Sequence, residues 1–351
     1  MNRPPTAELS DAMTDPDGNG DDQPRLTRRR LLAIGGAAGA AGGVWWVFRP
    51  APVTDRPGWH ERANLPTARG EMKGATLDSN LYVPGGMSGI GTSTDEVSVY
   101  APSTNEWEPA APLPVPLNHH ASAVVNGRLY VLGGNESFSD PPERHAYAYE
   151  PDTDTWGARS PLPDGRWAHE AVSIGDLIFV VGGVPETDDP LDTLVYDTTT
   201  DSWERRAPIP TPREHLAAAT VNDDIIVIGG RWDGENSDAC QVYDPDDDEW
   251  RMGAPLPTAR SGFGAAVLDG RVHVIGGEDP SVLDGWTTAA HEIYDVGEDV
   301  WSAAAELPLP VHGNVVGQLD DRIYVAGGAW RQGAFSVTSW SEHLFAFDPA
   351  V

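Results

Sequence analysis

The 351-residue sequence holds one cysteine, Cys240, and one lysine, Lys73. A single thiol excludes an intrachain disulfide and any metal site assembled from cysteines. Set in the apolar stretch "ACQVY", Cys240 reads as a buried, inert side chain. Positive charge is scarce altogether, 23 Lys and Arg against 54 Asp and Glu, for a net charge of −31. Residues 1–58 carry seven charges of each sign, so the whole acidic excess lies in residues 59–351. Such a field repels nucleic acid and anionic lipid, which rules out nucleic acid as a partner and leaves the membrane reachable only through the N-terminal segment. A calcium loop is also missing. "DPDGNG", residues 15–20, begins like one, but Leu26 stands where the bidentate Glu is required.

Residues 1–26 are polar, rich in Pro, Asp and Gly and without periodicity, the composition of a disordered segment. Thr27-Arg28-Arg29 followed by Leu31-Leu32 resembles the twin-arginine export signal, and residues 31–48 form its weakly apolar core, ten of the 18 being Ala or Gly. A segment of that length is also long enough for an anchor helix, so residues 27–48 are expected to be an export signal or membrane anchor, joined by a linker at 49–57 to a folded part at 58–351. The resemblance implies a protein outside the cell or on the outer face of the cytoplasmic membrane. The acidic, lysine-poor composition resembles proteins of extremely halophilic archaea, which implies solubility in high salt.

What the folded part has in abundance is repetition. Glycine pairs recur at 85–86, 133–134, 182–183, 229–230, 276–277 and 327–328, each after an apolar run such as "RLYVLGG" or "LIFVVGG". A second apolar run after each pair ends in an aromatic: Tyr100, Tyr149, Tyr196, Tyr243, Tyr294 and Phe347. Seven residues beyond the first five stand Trp107, Trp156, Trp203, Trp250 and Trp301. Alternating apolar positions and turns such as "VNGR" and "LDGR" predict four short antiparallel strands per repeat. One such sheet cannot bury both its faces, whereas six packed around an axis can. The expected fold is therefore all-β, a six-bladed β-propeller. After Phe347 the chain has no sixth tryptophan. "GWHERANLP" at 58–66 matches "EWEPAAPLP" at 106–114, so Trp59 is predicted to open the outer strand of the last blade and close the ring.

The double glycine, the Tyr and Trp at this spacing, and the recurrent Arg69, Arg166, Arg213 and Arg260 resemble the kelch repeat over residues 59–351. That family includes scaffolds, ligand-binding domains and a few enzymes, among them six-bladed sialic-acid mutarotases. The four arginines read as scaffold that bridges neighbouring blades.

With strands lettered A to D from the axis outward, the B–C and D–A loops share one face. The glycine-pair-to-aromatic interval, which contains the B–C loop, is the one that varies, from 13 to 19 residues. On that face the sequence places Arg231, Trp232, Trp286, Trp330, Arg331 and Trp340 in loops, and Asn118, His119, Trp167, Glu214, His215 and His312 at aligned D–A positions. Aromatic surfaces beside Arg, His, Asn and Glu suit a polar organic ligand, and in kelch domains that bind ligands these loops commonly form the site. The expected site is Asn118, His119, Trp167, Glu214, His215, Arg231, Trp232, His312, Trp330 and Arg331, with a glycan, peptide or protein as ligand. His119, His120, Glu214, His215 and His312 could converge on a metal, but they come from different blades with no local spacing to fix their approach, so neither metal nor cofactor is expected. A binding module, monomeric, is the leading reading. The alternatives are a sugar-acid mutarotase or epimerase with Glu214 or His119 as proton carrier, and a structural surface protein.

Overall fold

The computed structural model describes residues 50–137, 140–187, 191–279 and 287–350. The expectations for residues 1–48, Arg28 and Arg29 included, and for Trp286 lie outside these residues.

Five consecutive stretches of chain each make a four-stranded antiparallel sheet in the order A-B-C-D. The first comprises Ala75–Leu77, Asn80–Pro84, Val97–Ala101 and Glu106–Ala110; the second, Ala121–Val125, Arg128–Leu132, Ala146–Glu150 and Thr155–Ala158. The third runs through Glu170–Ile174, Leu177–Val181, Asp192–Asp197 and Ser202–Pro208, and the fourth through Ala217–Val221, Asp224–Ile228, Cys240–Asp244 and Glu249–Met252. Gly264–Leu268, Arg271–Ile275, His291–Asp295 and Val300–Ala303 form the fifth. Each A strand packs against the next, and the A strand of the sixth sheet, Val315–Leu319, packs against that of the first, so the sheets form a closed ring of six blades. B strands are buried almost end to end because each is central in its sheet and covered by a blade on either side, which is why they read as continuous apolar runs. The core is accordingly a set of layers between blades. One of them joins Leu81, Val83 and Tyr100 of blade one to Tyr324, Leu344 and Ala346 of blade six.

Blade six has three C-terminal strands, Val315–Leu319, Arg322–Ala326 and Leu344–Phe347, and takes its outer strand from Trp59–Glu61, with Trp59 opposite Phe347 and Glu61 opposite Phe345. The closure expected from the sequence is thus observed. It repeats the bonds of every other blade junction. Trp107, Trp156, Trp203, Trp250 and Trp301 each donate their indole N–H to a backbone carbonyl of the preceding blade's exit, at 2.7–3.1 Å, and Trp59 does the same to Ala305 at 2.9 Å. The strand-C tyrosines donate to an Asn or Asp in the following turn, as in Tyr149 to Asp154 at 2.7 Å, and that carboxylate also accepts the N–H of Ala111 from the preceding blade exit. Phe347 lacks the hydroxyl, so blade six goes without this link.

The glycine pairs are explained at the junctions as well. The second glycine donates its N–H to the backbone carbonyl at the arginine position of the next blade, for example Gly134 to Arg166 at 2.7 Å and Gly328 to Arg69 at 2.9 Å. A Cβ on Gly133 would lie 2.6 Å from that same Arg166 carbonyl, and both glycines have positive φ. The arginine side chains turn the other way, into their own blades. Arg69 bonds Glu96 (2.8 Å), the Val83 carbonyl (2.9 Å) and Ser98 (3.1 Å); Arg260 bonds the Gly276 carbonyl at 2.9 Å and pairs with Glu292. With their backbones held by one blade and their guanidinium groups by the next, Arg69, Arg213 and Arg260 bridge two blades, whereas the Arg166 side chain pairs with Asp164 two residues before it.

Candidate functional site

Where the chain enters strand A, one residue per blade adopts a left-handed conformation: Glu71, His119, Ala168, His215, Gly262 and Gly313, with φ between 50° and 66°. Their backbones join around the axis. His119 N–H donates to the Glu71 carbonyl (2.9 Å), Ala168 to His119 (2.8 Å), His215 to Ala168 (2.9 Å), Gly262 to His215 (2.8 Å) and Gly313 to Gly262 (2.7 Å). A left-handed residue costs about 1–2 kcal/mol unless it is glycine. Here the fold imposes that conformation on two histidines and a glutamate and brings their side chains together at one end of the axis.

The cluster is almost wholly buried. Glu71 Oε2 lies 3.3 Å from His119 Nε2 and 3.9 Å from His215 Nε2, and Glu71 Oε1 lies 3.4 Å from His312 Nδ1. His312 Nδ1 is also 3.3 Å from Glu278 Oε1. Arg231 donates through Nε to Glu214 (2.6 Å), pairs with Glu278, and approaches His215 Nδ1 at 3.3 Å. Burial works to raise the Glu71 carboxyl, but the His119 and His312 imidazoles beside it prevail and hold it well below the usual range. Burial, assisted by Arg231, holds His215 well below its usual value, so its imidazole is neutral. Trp167 stands edge-on to both His119 (centroids 5.0 Å apart) and His215 (5.7 Å), walling the cluster on one side.

One layer below, a cavity of about 100 Å³ is lined by Lys73, Ser122, Glu170 and Asn314. The only lysine of the chain pairs there with Glu170, whose carboxyl is raised by burial despite that partner.

The structure brings Asn118, His119, Trp167, Glu214, His215, Arg231 and His312 into this one cluster. Trp232 stands at its rim, 38% exposed, on a two-residue hairpin in which Arg231–Trp232 pairs with Glu235–Asn236 through left-handed Asp233 and Gly234. Trp330, expected on the rim, is instead buried within a core cluster that includes Leu309, Val311 and Phe347, because its loop folds inward through the turn of helix at Gly333–Thr338. Arg331 stacks over the Trp330 ring, 4.7 Å from its centroid. Trp340 is likewise drawn in, donating to the Gly89 carbonyl at 3.0 Å. Glu71, Glu278, Lys73 and Glu170 were not among the expected site residues. The signal for Glu71 was its alignment with His119 and His215 in the repeat.

The fold and its axial cluster define a six-bladed β-propeller with a polar site at one mouth of its central axis. Three overlapping stretches, residues 34–205, 76–277 and 119–328, match the family described as the KLHDC2/KLHL20/DRC7 Kelch-repeats domain, and the chain belongs to the kelch-repeat family. It is similar to human Kelch-like protein 33 (42% identical over 76 residues, 22% of this chain and 14% of that one). It is also similar to rat Kelch-like protein 25 (29% over 117 residues, 33% and 19%) and to Beta-scruin of Limulus polyphemus (33% over 76 residues, 22% and 8%). The matches thus span less than a fifth of these curated relatives' lengths. Among solved structures, YjhT superposes with a TM-score of 0.68 at 17% identity, covering 81% of this chain and 95% of that one, a likeness of fold.

Proposed function

We propose that this kelch propeller is a binding module that recognises a polar ligand, a glycan, peptide or partner protein, through the face carrying the B–C and D–A loops. Kelch propellers commonly serve as interaction modules. One observation carries the reading: Trp232 is presented to solvent from a short hairpin whose other residue, Arg231, is fixed by Glu214 and Glu278. A rigid exposed aromatic beside anchored polar groups loses little entropy on binding. The resemblance of Thr27-Arg28-Arg29 and Leu31-Leu32 to a twin-arginine export signal supports a module displayed outside the cell.

Catalysis of sugar-acid mutarotation is the second reading, suggested by the deep His119 and Glu71 pair. Glu214 is a poor proton carrier for it, since Arg231 binds its carboxylate and His215 lies against it. The binding reading is tested with Trp232→Ala and Trp167→Ala on glycan and secreted-protein arrays at high salt. Ligands retained by the intact protein should fall at least tenfold in affinity with either variant; unchanged retention by both overturns the site. Turnover of a sugar acid by the intact protein, abolished in Glu71→Gln and in His119→Ala, would establish the enzyme reading instead.

A further inference from the structure

We infer that Glu71, His119 and His215 are the ligands of a single divalent transition-metal ion on the propeller axis. The inference is independent of the ligand reading above.

Asn118 Nδ2 donates to Ser93 Oγ (2.6 Å) and to the Asn135 carbonyl (3.1 Å), which fixes the other end of its amide, Oδ1, as an acceptor. That oxygen faces His119 Nδ1, so a hydrogen sits on Nδ1 and Nε2 is the ring nitrogen turned to the cluster. At His215, Nδ1 is held by Glu214 and by the Arg231 guanidinium at 3.3 Å, which turns Nε2 to the cluster. Both Nε2 atoms face the same carboxylate oxygen, Glu71 Oε2. Two imidazole nitrogens and one carboxylate oxygen therefore converge on one point.

His312 repeats the pattern. It donates Nε2–H to the Arg331 carbonyl at 2.7 Å, and its Nδ1, buried and without a hydrogen bond, faces Glu71 and Glu278.

The dimensions suit an ion. Donor atoms bound tetrahedrally at about 2.0–2.1 Å lie about 3.3 Å from one another. Glu71 and His119 are already at 3.3 Å, and all three donor atoms lie within 4.8 Å of one another. Two imidazoles and one carboxylate select zinc or a neighbouring first-row ion over calcium or magnesium. Both histidines also have the outer support such ligands need, an acceptor on the second ring nitrogen: Asn118 for one and Glu214 for the other. Room has been left as well, since a Cβ on Gly313 would sit 2.8 Å from Glu71 Oε2. The remaining ring positions, Ala168, Gly262 and Gly313, offer no donor side chain, so the ion would keep a position open for water or a ligand. A second trio, Glu136, Glu143 and His145, is only half-buried and lies in a B–C loop, where solvent competes. It serves as the control.

The full chain is stripped with a chelator, dialysed and titrated with Co²⁺ and Zn²⁺. Expected are one equivalent of Zn²⁺ by mass spectrometry, visible Co²⁺ bands of nitrogen and oxygen ligation, and Zn²⁺-induced shifts of the His119 and His215 ring resonances. Asn118→Ala, which keeps all three ligands, should weaken Zn²⁺ about 10–100-fold. His119→Ala with His215→Ala should abolish the bands, and Glu143→Gln should leave them unchanged. Failure of the intact protein to take up either ion overturns the inference, as does a Co²⁺ spectrum that survives the double histidine variant. Because the intact protein is read first, misfolding of a variant does not shield the inference from test.

Discussion

At the scale of single residues, the glycine pairs separate two costs that sequence alone merges. Gly127 and Gly134 both have positive φ, but a Cβ on Gly127 meets nothing within 4 Å, whereas one on Gly134 would lie 2.6 Å from the Asn118 carbonyl and 2.9 Å from His120 Cβ. Gly127→Ala should cost about 1–2 kcal/mol, the price of the left-handed backbone alone. Gly134→Ala should cost clearly more, because the entry into strand A of the same blade, Asn118 to His120, would have to move. Equal midpoints for the two variants in denaturant unfolding would show that this entry yields freely. The same scale shows what the sequence hid. His119, His215 and Glu71 were visible as aligned repeat positions, but three residues of three blades become one cluster only when the ring closes, and no local spacing encodes that.

At the scale of the strand and its loops, the repeat was legible almost completely, since the alternation, the glycine pairs and the Tyr-to-Trp interval follow directly from antiparallel blades packed against each other. The loops were not. Trp330 and Trp340 looked like rim residues because polar neighbours surround them in sequence, yet both are buried, and nothing in "AWRQGAFSVTSWSEH" marks which way the loop folds. Buried arginines join the elements, and Arg260 with Glu292 offers a clean measure of that joint, both being at least nine-tenths buried. Arg260→Met should destabilise by about 3–5 kcal/mol, since it strands a buried carboxylate. Adding Glu292→Gln should restore part of the loss. A double variant no more stable than the single one would mean that packing, and not charge, is what Arg260 supplies.

For the molecule as a whole, four core histidines set a dependence on pH. Burial lowers His120 and His273 to about 4, and His169 and His291 to about 3. An unfolded chain binds protons at these histidines near pH 6.5, so between there and pH 4 it holds more protons than the native state. Stability is full above about pH 6.5 and falls as the pH drops through that window, by up to about 1.4 kcal/mol per pH unit for each group. Relief of repulsion among surface carboxylates acts in the opposite direction but begins near their own titration, about pH 4. Thermal unfolding at constant salt should therefore give a lower Tm at pH 5 than at pH 7.5; a flat or rising profile would contradict the buried neutral histidines. Removing residues 58–63 should open blade six and lower Tm far more than a strand of three residues would if it merely frayed. An unchanged Tm would show that the ring does not depend on its seam.

That seam also orders events in time. Glu61 meets His343 across 282 residues of chain at 2.9 Å, so the strand that opens the propeller finds its partner only after five blades have been made. At roughly 5–20 residues per second, it waits on the order of 15–60 s with its edge unsatisfied while five blades assemble behind it. Charged Glu61 and Arg62, beside polar His60, occupy that waiting edge, and charges there discourage pairing with other nascent chains. The short charged strand is thus as much a guard during synthesis as a clasp afterwards.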